Sequence, residues 1–344
     1  MTRTNLIASF VLPLGLALAA CSSSSPEEQA KAQVTQSIKT ELDNLVQAMT
    51  DLQAAAPAPK ATGWVLPDDQ AAIDSMKDAW KRSRTSYERI EGAIAVLFTD
   101  IDDTFDNRYT AFLDENGPDN DLFDDQDVTG NHAIERILWS QEIPAAVIQF
   151  ESEHDGYVAA RYPMNAQEAT EFKTKLCQRA IADVTTMQTQ FATAVVLDDA
   201  AAFRGVIGSM GEQVEKVKLS ATSEEESRYA QHTLGDMRAN LEGAQLTLDG
   251  FKVWITAENG TDLVDQIQAR LDAIKAAYGA IPGDAIPPVP MGFDPNLPSC
   301  ADLMTPYGQL FQLLSTESDP DHDGSAVQLM DKAADLMKIP QLPR

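Results

Sequence analysis

From Glu27 almost to its end, this chain repeats apolar residues at three- and four-residue steps and shows no convincing alternating run. It can therefore bury a core only as packed helices. Ala, Leu, Glu, Gln, Lys and Met dominate the long segments, and these are strong helix formers. The pattern predicts helices over about 27–54, 68–98, a segment around His132, a long one opened by Asn165 with Glu168, then 198–218, 223–255, 261–280, 301–316 and 324–338. Pro67 with Asp68 and Asp69 marks the second start, and Ser223-Glu224-Glu225-Glu226 reads as a capping box. Residues 99–130 read as a loop-rich acidic region and 282–298 as a stiff proline-rich connector. The expected fold is an all-α helical bundle over 27–344, divisible into two packed four-helix halves, 27–160 and 165–340.

The first residues obey another rule. Arg3 precedes an apolar run from Leu6 to Ala20, closed by Leu18-Ala19-Ala20-Cys21. A basic start, an apolar stretch too short to span a bilayer comfortably and small residues before a cut make a secretory signal. A cysteine directly after the small pair is the bacterial lipoprotein pattern. Residues 1–20 are expected to be removed, Cys21 to carry the lipid and 21–26 to form a tether. The chain then belongs to the bacterial cell envelope and faces the periplasm. The outer membrane is favoured because Ser22 is no retention signal, and the lipid anchor is the only membrane contact.

Charge narrows the partners. The chain carries 53 Asp and Glu against 26 Lys and Arg, a net charge of −27, and removing the leader removes one more cation, Arg3. Such a surface repels nucleic acid and draws in cations. Asp119-Asn120-Asp121 through Asp127, and Asp319 to Gly324, offer carboxylates suited to calcium, but Met330 stands where the second loop would need a glutamate. Solvated loops are the plainer reading. Cys177 and Cys300 sit in a compartment that permits a disulfide, and their spacing decides nothing. His154 and His232 read as surface residues.

Chemistry concentrates at Gly130-Asn131-His132-Ala133-Ile134-Glu135. His132 and Glu135, three apart on a helix, point to one side. An imidazole with a carboxylate is half of a transition-metal site. Upstream, Tyr87 and Glu91 share a face, and Asp102, Asp106 and Arg108 follow. Downstream, Tyr229, Asp236 and Asn240 fall along one stripe. By spacing alone, acids on solvated helix faces remain the plainer alternative.

Three blocks, in order, carry a resemblance. They are Tyr87-x-x-Ile90-Glu91 with Phe98-x-x-Ile101-Asp102-x-x-Phe105-Asp106-x-Arg108; Gly130-x-His132-x-x-Glu135 with Leu138-Trp139; and Glu225-Glu226-x-x-Tyr229 with Asp236, Asn240 and Gly243-Ala244. The chain resembles the imelysin-like family and, within it, the EfeO/EfeM-type periplasmic iron-uptake proteins. The resemblance implies a metal site in which His132, Glu135, Glu91 and Asp236 are ligands. It places Tyr87, Asp102, Asp106, Arg108, Tyr229 and Asn240 in the surrounding shell. Asn131 and Ser140 depart from residues common in the family, which puts the shape of the pocket mouth in doubt. The implied ion is a divalent or trivalent transition metal, iron first and zinc or manganese next. An iron permease or a haem peroxidase is the implied partner. Two alternatives stand beside iron uptake: a metallopeptidase of the imelysin type, and an envelope binding module that needs no metal. Without His-Glu-x-x-His, a hydrolytic zinc site lacks its general base, so the chain reads as a binder before an enzyme.

Overall fold

The computed structural model describes residues 24–342. The leader and Cys21 lie outside the described residues. Helix α1 (Pro26–Ala55) is followed by α2 (Gln70–Glu88), α3 (Glu91–Leu97), α4 (Thr99–Phe105), α5 (Tyr109–Asn116), α6 (Gly130–Leu138) and α7 (Ala145–Ser152). Helix α8 (Ala166–Glu171) runs through a π-helical turn into α9 (Cys177–Thr193), and a second π-helical turn, Ala200–Arg204, leads into α10 (Gly205–Ser220). Helices α11 (Thr233–Ala257), α12 (Thr261–Ala280), α13 (Pro306–Glu317) and α14 (Ala326–Leu336) complete an all-α bundle, with no strand among the described residues. None of these helices is long and apolar enough to cross a membrane. Cys177 is buried and Cys300 exposed, and neither is paired.

Local chemistry explains the starts. Ser25 Oγ accepts from Glu28 N while the Glu28 carboxylate accepts from Ser25 N, a capping box that draws Pro26 into the first turn rather than into a tether. Asn165 accepts from Glu168 N, as the sequence predicts. Helix α1 turns Val34, Ile38, Leu42, Leu45, Met49 and Leu52 inward. It packs on α2, α9 and α11, so residues from 27–160 and 165–340 join in one hydrophobic core. Helix α11 lies at the centre, against α1, α2, α10 and α12.

Three segments differ from the sequence expectation. The helix expected over 68–98 breaks at Arg89–Ile90, where Ile90 leaves helical geometry with φ −120° and ψ −5°. Helix α11 holds that break. Gly243 lies so close that a Cβ there would sit 2.2 Å from Arg89 O, and Asn240 Nδ2 donates to the freed Glu88 carbonyl at 2.9 Å. The expected helix start at Ser223 is also absent. Residues 221–232 form an irregular loop with φ +65° at Ser223 and +52° at Gln231, and α11 begins ten residues later because the presumed capping acids have other partners. The acidic stretch 99–130 is not all loop, since α4 and α5 occupy it. Three of its other carboxylates bond their own backbone: Asp119 accepts from Asp121 N, Asp121 from Phe123 N and Asp124 from Gln126 N. The same holds at Asp319, which accepts from Asp321 N.

Helices α3 and α10 touch through glycine, since a Cβ on Gly205 would lie 1.9 Å from Gly92 O. An ordinary helix-interior Gly→Ala change gains about 1 kcal/mol. Here Gly205→Ala is expected to lose about 1–3 kcal/mol by overpacking, measured by urea denaturation.

Candidate metal centre

Every residue of α6 is buried, including Asn131, His132, Glu135 and Arg136. Buried polar groups need partners, and the partners define the site. Gly130 makes the approach: it has φ +82°, and a Cβ there would lie 2.2 Å from Phe105 O. Only glycine allows this backbone contact between the start of α6 and the end of α4. It brings His132 Nε2 to 3.4 Å from Asp106 Oδ1. On the other side of α6, Trp80 Nε1 donates to Asn131 O and Ser83 Oγ to Asn131 Oδ1, which docks α6 on α2.

The imidazole is oriented from behind. His132 Nδ1 lies 2.7 Å from Glu135 Oε2, and Glu135 Oε1 accepts from the backbone N–H groups of Tyr229 and Ala230 at 3.0 and 2.8 Å. Glu135 therefore fixes the ring and leaves Nε2 facing forward, the usual role of a carboxylate behind a ligating histidine. His132 is 1% exposed and its Nε2 has no hydrogen-bond partner.

What Nε2 faces is a set of carboxylates. Asp106, His132 and Glu226 each offer an atom within 4.8 Å of the others, and Glu88, Glu91, Asp106 and Glu226 form a second such set. Two buried cations thread this cluster. Arg84 pairs with Glu88 and Asp106, with Glu226 at 2.9 Å and with Asp236 at 3.3 Å. Lys216 lies 2.5 Å from Glu226 and 3.2 Å from Glu88.

Of the residues singled out in the sequence, His132, Asp106 and Glu91 meet here. Glu135 touches the imidazole and two amides rather than the carboxylate set. Asp236 is turned away, held by Arg84 and by the Ser227 hydroxyl. Tyr87 donates its hydroxyl to Asp102. Asn240 donates to both Glu88 and Glu91 at 2.8 Å. Arg108 donates to the Glu224 carbonyl at 3.0 Å. The Tyr229 side chain lies off the stripe expected with Asp236, and its hydroxyl binds Glu151 instead. His232 is buried, 3.2 Å from Asp284 and edge-on to Trp80. The sequence reading missed Glu88 and Glu226. Glu88 was visible as the residue three before Glu91, and Glu226 was visible but read as a helix cap.

Above the cluster lies a cavity of about 810 Å³, with Glu91, Asp106, Lys216 and Glu226 in its wall. Its exposed rim carries Asp103, Glu115, Asp127, Glu212 and Glu215. A rim of one sign concentrates cations at its mouth.

The imelysin family model matches residues 29–315. The chain belongs to the imelysin family. The iron uptake system component EfeO of Escherichia coli K12 is 25% identical over 235 residues, covering 67% of this chain and 50% of EfeO. EfeO of Shigella flexneri matches to the same extent. The imelysin chain thus spans about half the length of the curated relatives it matches. Among solved structures, an imelysin-like protein from Psychrobacter arcticum 273-4 aligns with TM-score 0.60 and 10% identity over 94% of this chain and 99% of that one. An iron-regulated protein A precursor assigned in Parabacteroides distasonis aligns with TM-score 0.53 and 12% identity over 91% and 97% of the two chains. At these identities the structural likeness shows the fold.

Electrostatics in the imelysin centre are dominated by burial and by packed charge. Burial would depress the His132 imidazole, but Asp106 and Glu135 outweigh it and hold its pKa up to about 9. Burial pushes Glu91 up to about 7 against the pull of Lys216, and Asp102 up to about 6 against the Tyr87 hydrogen bond. Burial would raise Glu226 too, yet Lys216 and Arg84 keep it well below the usual carboxylate range. Burial likewise opposes the Lys216 ammonium, which Glu226, Glu88 and Glu91 hold well above its ordinary value. A raised imidazole pKa adds stability that is complete below its ordinary 6.5 and lost as pH rises through about 9. Raised carboxyls act in the same direction at lower pH, because the fold binds protons the unfolded chain has released. The metal-free imelysin chain is therefore expected to lose stability from pH 6 to pH 9, on the order of 2–3 kcal/mol. Denaturant melts across that window check this, and His132→Asn should flatten the decline.

Proposed function

We propose that this chain captures a transition-metal ion, iron before zinc or manganese, for an iron-uptake system of the bacterial envelope. One observation carries the reading: the buried His132 Nε2 makes no hydrogen bond and faces Asp106 and Glu226, with donor atoms within 4.8 Å of one another. One imidazole with several carboxylates suits iron, manganese and zinc. The name of the relatives, iron uptake system component EfeO, argues for iron. In this reading Asp106, His132 and Glu226 hold the ion, Glu91 and Glu88 lie next to it, and Glu135 orients the imidazole. That assigns Glu135 and Asp236 supporting rather than ligating roles. Entering metal displaces the His132 proton, so uptake releases protons, and the acidic rim supplies the approach.

Processing at Cys21 and a lipid anchor belong to the same proposal, as does delivery to an iron permease or a haem-peroxidase partner facing the periplasm. The warrant for the anchor is Leu18-Ala19-Ala20-Cys21. A metallopeptidase is the second reading, favoured by a cavity of about 810 Å³ that has room for a peptide segment. It ranks lower because Glu135, the one glutamate of the signature, is spent on His132 and two amides, which leaves it unable to serve as base.

Ligand at a hundredfold over its dissociation constant stabilises by about 2.7 kcal/mol. Iron(II), manganese or zinc is thus expected to raise the melting temperature of the wild type and not that of His132→Ala, Glu226→Gln. Equal shifts in both proteins would remove the site.

A further inference from the structure

The two donor sets at the centre overlap. Asp106 and Glu226 belong to both the set with His132 and the set with Glu88 and Glu91. Neighbouring sets that share two carboxylates are the framework of two-metal centres, whose ions lie about 3.5–4 Å apart. Helix-borne carboxylates with histidine are how such centres are built in bundles.

The second set already holds a cation. Lys216 Nζ lies 2.5 Å from Glu226 Oε2, 3.2 Å from Glu88 Oε2 and 3.6 Å from Glu91 Oε2. An ammonium has three N–H donors and no acceptor; here it donates to Glu88 Oε2 and is ion-paired with Glu226 and Glu91. The side chain is 9% exposed, so little water competes. The first set differs, because its imidazole nitrogen, His132 Nε2, makes no hydrogen bond and has Asp106 Oδ1 3.4 Å in front of it. Arg84 reaches Asp106 and Glu226, but Glu88 and Asp236 fix its other donors.

We infer that the Lys216 ammonium stands where a second ion would otherwise bind, so the centre takes one transition-metal ion, at Asp106, His132 and Glu226. The inference rests on the metal-binding reading above. Lys216 is tethered and cannot be lost, so it limits the centre to a single ion without leaving the second carboxylate set uncompensated. With that charge removed by substitution, Glu88, Glu91, Asp106 and Glu226 face Arg84 alone, and a second divalent ion restores the balance.

The test is manganese stoichiometry. The folded chain is loaded with Mn²⁺, freed of excess ion, and read by elemental analysis and electron paramagnetic resonance. The wild type is expected to hold one ion per chain. Lys216→Gln should hold two, with an exchange-coupled spectrum in place of the isolated-ion one, and Lys216→Arg, which keeps the charge, should return to one. A wild type with two ions, or Lys216→Gln with one, overturns the inference. If Lys216→Gln does not fold, the wild type still decides by acetylation mapping. Lys216 should stay protected in the manganese-loaded protein, and loss of protection on loading would show it displaced and the inference wrong. A wild type that takes up no manganese, iron or zinc fails the metal-binding reading itself and takes this inference with it, an outcome distinct from a change in the number of ions.

Discussion

The buried guanidinium of Arg84 is the contact on which the centre depends. It is 0% exposed and joins four carboxylates from four separate segments: Glu88 at the end of α2, Asp106 after α4, Glu226 in the loop 221–232 and Asp236 in α11. Without a fixed cation those acids would repel one another and turn outward. Arginine suits the task because it stays charged and offers five donors in a rigid fork. Lys216 completes the arrangement from α10, and Asn240 ties Glu88 and Glu91 together from α11. The bundle therefore has a polar centre embedded in an apolar shell.

Such a centre costs stability. Desolvating charges is expensive, and well-packed apolar residues of similar volume often do as well or better. In the proposed reading, the centre serves metal capture rather than folding. Backbone irregularities cluster around it in the same way. The break at Arg89–Ile90, the positive-φ Gly130 that opens α6 and the loop 221–232 between α10 and α11 each lie beside a site residue. Each places two functional groups together that a continuous helix would hold apart. The loop frees Glu226 for Lys216 while its amides reach Glu135, and the Gly130 contact sets His132 beside Asp106.

The fold was legible because helix periodicity is local. Helix α12 occupies the segment expected from Leu263, Ile267, Leu271 and Ile274, and α1 differs from its expected span by a residue at each end. The errors fall where tertiary contacts override local preference. Ser223-Glu224-Glu225-Glu226 is a sound capping box by composition, but Glu226 gains more from two buried cations than from a helix terminus. The break after Glu88 had no local sign, since its cause is Gly243 and Asn240 more than a hundred residues away. Residue types at the site were legible from His132, Glu91 and Asp106. Roles were not: spacing puts His132 and Glu135 on one face, but only coordinates show that Glu135 approaches Nδ1 from behind while distant Glu226 stands in front of Nε2. Arg84 and Lys216, which make the cluster affordable, look like ordinary surface cations in sequence.

The central claim is that Asp106, His132 and Glu226 surround one ion. Anomalous diffraction at the zinc edge from crystals of the zinc-loaded protein tests it most directly. The account predicts a peak about 2.0–2.2 Å from His132 Nε2 and from carboxylate oxygens of Asp106 and Glu226. A peak bound instead through Glu135 or Asp236, or one confined to the acidic rim with His132 Nε2 uncoordinated, would contradict it.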